Sequence, residues 1–170
     1  MNSRAKKGFT LIELLVTVAI LTLLVAIGAS VFSSTLKNNH DKRRLLDLGS
    51  ISKALELYRH DWHYYPASTA FPAPGSPLCS PDSSGSPCKK ADGSNGKTYL
   101  DQVPKDPSTG QGYVYLALPV SPAPCEAYGE CVSYALCAWQ EGTGTYEVPS
   151  ACGSPQTCNS TTCKIGLSPP

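Results

Sequence analysis

The sequence has few charged residues and lacks the motifs that usually accompany catalysis. Charged side chains make up 16% of its 170 residues, and the net charge of +1 predicts no bulk attraction to nucleic acid or acidic lipid. It contains no glycine-rich phosphate loop, no Gly-x-Ser-x-Gly, no His-Glu-x-x-His and no Cys-x-x-Cys. We therefore predict that the chain is not an enzyme.

Charge is scarcest in an apolar run near the N-terminus. Glu13 is the only charged residue in positions 9–32, and a short leader with three basic side chains, positions 1–8, precedes them. A helix over this run would be roughly 36 Å long, enough to cross a bilayer core of about 30 Å. The basic leader predicts a cytoplasmic N-terminus, so we expect this run to contact membrane lipid and the rest of the chain to be exported.

The carboxylate of Glu13 distinguishes this run from an ordinary signal sequence. A carboxylate in hydrocarbon costs roughly 3 kcal/mol or more and is normally kept only where a partner stabilises it. Cleavage after Gly8 would supply a partner, because the new α-amino group of Phe9 is a cation that can pair with Glu13 of the same or a neighbouring chain. The alternative, a signal peptide cut near the small residues 26–30, leaves Glu13 unexplained.

Residues 7–13, Lys-Gly-Phe-Thr-Leu-Ile-Glu, resemble the prepilin peptidase site of type IV pilins and of the pseudopilins of type II secretion. The resemblance implies cleavage between Gly8 and Phe9, N-methylation of Phe9, and a role for Phe9 and Glu13 in assembly. It implies three protein partners: prepilin peptidase, an inner-membrane assembly platform and other copies of the chain. It also implies a single-pass inner-membrane precursor that becomes an extracellular or periplasmic filament.

The first helix is predicted to continue beyond the membrane segment. Apolar residues at helical spacing form a stripe between positions 48 and 62, and the Tyr65-Pro66 pair ends the pattern. We therefore predict one helix over residues 10–63. The basic run at 42–44 is interpreted as a solvated face of this helix or as a membrane-proximal anchor. It has no interleaved aromatic residues that could stack on bases. Nucleic acid is not an expected partner.

The predicted fold is α+β and pilin-like: a long N-terminal α-helix packs against a small antiparallel sheet and is followed by a disulfide-rich C-terminal region. Six segments are predicted: the leader (1–8), a transmembrane or filament-core helix (9–32), the amphipathic helix of the head (33–64), a Pro/Ser/Gly-rich loop (65–97), the sheet (98–150) and a Cys-rich tail (151–170).

Alternating residues predict three strands, at 112–118, 131–140 and 143–148, with the last two joined as a hairpin. Residues 98–107, which end in Val-Pro-Lys-Asp-Pro, resemble a turn of the major pseudopilins. Asp106 is predicted to accept backbone N–H groups in that turn rather than to bind a metal. The predicted core comprises Leu48, Ile51, Leu55, Tyr58, Trp62, Val114, Leu116, Val132, Tyr134, Leu136 and Trp139.

The even number of cysteines in an exported domain predicts disulfides. No histidine lies near them at zinc spacing, and sequence alone leaves their pairing open. We favour a bridge between Cys79 and Cys88, with the C-terminal cysteines pairing among themselves and with the sheet. The candidates are Cys79, Cys88, Cys125, Cys131, Cys137, Cys152, Cys158 and Cys163.

No cofactor is predicted from the residues themselves. Resemblance to the major pseudopilins raises calcium as a ligand, but no calcium ligands can be assigned in this sequence. The favoured function is the structural subunit of a type IV pilus-like filament, because a filament outside the cell gains from covalent bridges. The alternatives are a major pseudopilin that drives protein export and a membrane-anchored binding domain that never polymerises.

Overall fold

The computed structural model describes residues 8–85, 87–108, 110, 112–119, 125, 131–153, 157–158 and 161–169. Leader residues 1–7 therefore lie outside the described residues. The chain divides into two compact units, Met1–Lys37 and Asn38–Pro170, and we call the second unit the head. The predicted segment boundaries, including the one between residues 32 and 33, stay predictions.

A single helix of 52 residues, α1 (Leu11–Trp62), confirms the predicted long helix. Within the head it buries the predicted apolar stripe, including Leu48 and Tyr58, which are at most 2% exposed. Trp62, at the end of the stripe, is only half-buried, and its Nε1 donates a hydrogen bond of 2.8 Å to the hydroxyl of Tyr99.

The strands are short apart from two. They are β1 (Leu78–Cys79), β2 (Ser83–Ser84), β3 (Lys89–Lys90), β4 (Thr98–Leu100), β5 (Val114–Pro119), β6 (Cys131–Ala138), β7 (Thr157–Cys158), β8 (Thr161–Thr162) and β9 (Ile165–Leu167). The main sheet is antiparallel with the order β5-β6-β9. The segment predicted as a loop over 65–97 contains β1, β2 and β3, together with a short 3-10 helix, Ser68–Ala70.

The third strand of the sheet is β9, so the predicted strand over 143–148 is wrong. The backbone N–H groups of Glu141 and Gly142 donate to the carboxylate of Asp41 on α1, at 2.9 and 2.8 Å. These hydrogen bonds hold residues 141 and 142 against α1. The predicted hairpin would need the same residues to turn back towards β6. The chain then passes beside β9, where the N–H of Gly166 donates to the carbonyl of Glu147.

The sheet has a hydrophobic cluster on each face. Tyr115 and Tyr134 pack with α1, whereas Ala135 and Cys137 pack with the Cys-rich tail on the opposite face. The core prediction is therefore wrong in part. Three of its residues belong to the tail-side cluster and are only partly buried: Val114, Leu116 and Trp139.

Val132 was predicted to be buried but is 40% exposed. The pairing register shifts between Leu118 and Pro119, opposite the start of β6. Such a bulge interrupts the alternation of faces. As a result Cys131 enters the helix-side cluster and Val132 faces solvent.

Candidate functional site

The first turn of α1 forms a closed set of hydrogen bonds around Glu13. Its Oε2 accepts from the backbone N–H of Thr10 at 2.9 Å and from the Thr10 hydroxyl at 2.8 Å. In return, the Thr10 hydroxyl oxygen accepts from the N–H of Glu13 at 3.3 Å. This is a capping box, in which residues three apart satisfy each other's free donors at a helix start.

The predicted processing residues lie directly before this box. Gly8 is exposed and Phe9 is 84% exposed, so the peptide bond between them is accessible from solvent. The capping box by itself has a purely structural role, that of fixing where the helix begins. The box also lies between an exposed Gly-Phe bond and an apolar run. Its hydrogen bonds therefore hold the Glu13 carboxylate in a fixed orientation close to that bond.

The residues after the box satisfy the physical requirements of a membrane span. By length and composition α1 is apolar and long enough to cross a bilayer, and none of its most apolar window is buried within the structure. Thr17 and Thr22 donate their hydroxyls to the carbonyls of Leu14 and Ala19 of the same helix. These hydroxyls therefore need no partner from lipid.

A second polar cluster lies in the head around Arg44, which is 0% exposed. Its Nε donates to Oδ2 of Asp106 at 2.6 Å, and its Nη2 donates to Oδ1 of the same carboxylate at 3.0 Å. It also donates to Oδ1 of Asp41 at 2.7 Å, to the hydroxyl oxygen of Ser108 at 2.8 Å and to Oε1 of Glu141 at 2.5 Å. The guanidinium also lies over the ring of Trp139, with its carbon 5.3 Å from the ring centroid.

Arg44 and Glu141 stabilise each other in their ionised forms. Burial would lower the pKa of Arg44, but hydrogen bonds to Asp106 and Glu141 outweigh it and raise that pKa above its ordinary value. Burial would raise the pKa of Glu141, yet bonds from Ser108, Arg44 and His40 lower it below its ordinary value of 4.5. The cluster joins α1, the turn at 106–108 and the segment after β6 by ionic hydrogen bonds.

The burial of Arg44 therefore corrects the prediction that the basic run is solvated. Arg43 does face solvent, with 68% of its side chain exposed, and pairs with Asp47 one turn on. Asp106 accepts from the N–H of Ser108 at 3.0 Å, so the predicted turn is confirmed, but the same carboxylate also binds Arg44. The i, i+3 spacing of Asp41 and Arg44 on α1 is a sequence signal for the pair between these two residues, but not for the pair with Asp106.

The eight cysteines form four disulfides, and none of them is free. The structure joins Cys79 to Cys88, the pair that the sequence favours. The tail contributes one bridge within itself and one to the sheet, both in line with the prediction. The remaining pairs are Cys125–Cys131, Cys137–Cys152 and Cys158–Cys163.

Within the described ranges no group of three or more His, Cys, Asp or Glu side chains is arranged to hold a metal ion. The three carboxylates that converge in the head are directed at a guanidinium instead. This arrangement orients the segments that carry the three carboxylates and stabilises the head.

A family model for the prokaryotic N-terminal methylation motif matches residues 3–29. The match therefore covers most of the leader, the Gly8–Phe9 bond, the capping box and most of the apolar run. No curated protein gives a significant match to the chain, and neither does any solved structure.

Proposed function

We propose, from an N-terminal segment that carries the signature of type IV pilin and pseudopilin prepilins, that this chain is the structural subunit of a type IV pilus-like filament. The precursor is held in the inner membrane by α1, and prepilin peptidase cuts it between Gly8 and Phe9. Phe9 is then N-methylated, and an inner-membrane assembly platform adds the subunit to a homopolymer. The chain performs no catalysis itself.

The observation that carries the proposal is the position of Glu13 relative to the cleavage site. The carboxylate lies one helical turn after Phe9 and accepts two hydrogen bonds from Thr10. These bonds lower the cost of holding a carboxylate in hydrocarbon before assembly. Cleavage then creates an α-amino cation at Phe9, and in a bundle of helices that cation is available to a neighbouring Glu13.

The disulfides favour a filament outside the cell over one confined to the periplasm. All four disulfide bridges lie within the head. Three of their cysteines, Cys137, Cys152 and Cys163, are at most 3% exposed and belong to the tail-side hydrophobic cluster. Each bridge in a small domain contributes roughly 2–4 kcal/mol. Such bonding suits a subunit that leaves the cell, where unfolded protein is not rescued by chaperones or replaced.

A major pseudopilin of a type II secretion system is the second candidate. It is favoured by the Val-Pro-Lys-Asp-Pro stretch at 103–107, which the structure places as a turn against α1 through the Arg44–Asp106 ion pair. Deletion of the gene separates the two candidates. Loss of sheared surface filaments supports the pilus, whereas retention of secreted proteins in the periplasm supports the pseudopilus.

Mass spectrometry of the protein from its producing cell tests the proposal directly. We expect a chain that begins at N-methylated Phe9 and, with four disulfides, gains eight hydrogens on reduction. A chain that still begins at Met1 would overturn the filament proposal and leave a membrane-anchored domain. A chain that begins within residues 26–30 would identify an ordinary secreted protein.

A further inference from the structure

The head exposes two leucines on one face of α1. Leu46 is 69% exposed and Leu57 is 57% exposed, the highest values for large apolar side chains among the described residues of the head. They are eleven residues apart, about three helical turns, so they point in the same direction. Lys53, also exposed, lies between them on this face. We call these three residues the leucine face.

A groove lined by both polar and apolar residues lies at the edge of the sheet. It has a volume of about 420 Å³ and is formed where residues 147–149 run beside β9. Its apolar lining includes Val148, which is 39% exposed, and Leu167, which is half-buried. Exposed Glu147 supplies an acidic group at the groove. We call it the Val148 groove.

We propose that the leucine face of one copy of this chain docks in the Val148 groove of the next copy. The apolar residues of the two surfaces bury one another, and Lys53 of one copy meets Glu147 of the other. The inference rests on the proposed function, since it assumes that the chain polymerises. It goes further by naming the surfaces of the head that join neighbouring subunits.

Two features of these surfaces favour a second copy of the chain as the occupant. The surfaces carry opposite charges, and complementary charges select partners and fix their register. The surfaces are also different from each other, so their contact is heterologous, and a heterologous contact whose rotation does not close into a ring produces an open helical polymer. An anionic lipid surface would attract Lys53 but repel Glu147, and therefore fits only one of the two surfaces.

A charge exchange in the full chain, expressed in its producing cell, tests this interface. The measured quantity is the ratio of sheared filament to membrane-bound protein. We expect Lys53→Glu alone and Glu147→Lys alone to lower this ratio by about tenfold, because each places like charges opposite one another. The double variant restores the opposite charges and is expected to recover to within about threefold of wild type.

The control pair is Lys105→Glu and Asp101→Lys, which makes the same charge changes at exposed loop positions outside both surfaces. We expect these controls to assemble as wild type does. Normal assembly of both single variants, or a double variant no better than the singles, would overturn the interface while wild-type filaments still support the proposed function. Absence of wild-type filaments would overturn the proposed function and, with it, this interface.

A cross-link provides a second readout that does not depend on charge. Cysteines introduced as Leu57→Cys and Val148→Cys in one chain are expected to yield a ladder of covalent oligomers from oxidised filaments. The chain with Leu57→Cys alone is the matched control, because one cysteine cannot extend a ladder beyond dimers. Intact filaments of the double variant that yield no ladder would overturn the proposed docking.

Discussion

Arg44 and Asp106 form a bidentate ion pair between residues 62 positions apart, with N–O distances of 2.6 and 3.0 Å. The side chain of Arg44 is 0% exposed and that of Asp106 is 8% exposed. Arg44 also satisfies Asp41 and Glu141, so removal of this one cation leaves three carboxylates without their main partner. Arg44 therefore joins both the turn at 106–108 and the segment after β6 to the helix.

We expect Arg44→Ala to destabilise the head by about 3–5 kcal/mol, the usual cost of breaking a buried ion pair from one side. Chemical denaturation of the full chain in detergent measures this change. Arg43→Ala is the matched control, because Arg43 makes only a surface pair with Asp47 and such pairs contribute about 0–1 kcal/mol. Equal losses in the two variants would contradict a special role for Arg44.

The lowered pKa of Glu141 predicts a specific pH dependence. A depressed carboxyl pKa contributes stability at every pH above the unfolded value, and that contribution is lost as the pH falls through the folded value. His40 also contacts Glu141, so the comparison is made in a His40→Gln background, in which this imidazole cannot titrate. There the difference in unfolding free energy between Glu141 and Glu141→Gln should be constant from pH 7 to pH 5. It should shrink below the ordinary value of 4.5. A difference that grows on acidification would contradict this assignment.

Chelation is expected to leave the head unchanged. The charges of Asp41, Asp106 and Glu141 are directed at Arg44, so these carboxylates have an internal cation. We expect thermal unfolding of the purified protein to give the same midpoint with EDTA, with EGTA and with added calcium. A midpoint that falls with chelator and recovers with calcium would reveal a bound metal.

The hydroxyl of Thr10 is expected to support assembly through Glu13. Thr10→Val keeps the shape of the side chain but removes the 2.8 Å hydrogen bond to the carboxylate. Loss of such a cap costs about 1 kcal/mol, equivalent to about fivefold in a ratio of filament to membrane-bound protein. Thr10→Ser retains the hydroxyl and should assemble normally. Equal filament yields from all three chains, each confirmed as cleaved, would contradict this role.

The disulfides should differ in what they stabilise. Cys137 and Cys152 are 0% exposed and close a separation of 15 residues, so replacing both by alanine should cost about 3 kcal/mol of global stability. Replacing Cys79 and Cys88 opens a separation of 9 residues in the loop before the sheet. We expect that change to increase protease cleavage within the loop and to alter global unfolding less. The reverse order would contradict this division.

The features that sequence predicts best are those determined locally. The helix and its buried stripe follow from a pattern that repeats within a few residues, and Glu13 is conspicuous because its surroundings are apolar. Arg44 was assigned to solvent because its partners Asp106 and Glu141 lie 62 and 97 residues away. Nothing near a basic run indicates which member of it meets distant acids.

The errors in the sheet have a related cause. Strand β9 has only three residues, too few to show alternation, whereas residues 143–148 alternate without forming a strand. The carboxylate of Asp41 accepts hydrogen bonds from the backbone N–H groups just before that segment. The register shift opposite Val132 likewise depends on the partner strand. Pairing between strands decides both outcomes, and a single sequence does not display it.

The four disulfides join each cysteine to the next one along the chain: first to second, third to fourth, fifth to sixth and seventh to eighth. No bridge encloses or crosses another. In the proposed topology the N-terminus stays in the cytoplasm and the head follows α1 across the membrane, so its cysteines emerge in sequence order, and an oxidant that joins each pair in order of appearance produces the final pattern. Thiol oxidation and export can therefore proceed together, and correct pairing does not depend on a reshuffling enzyme.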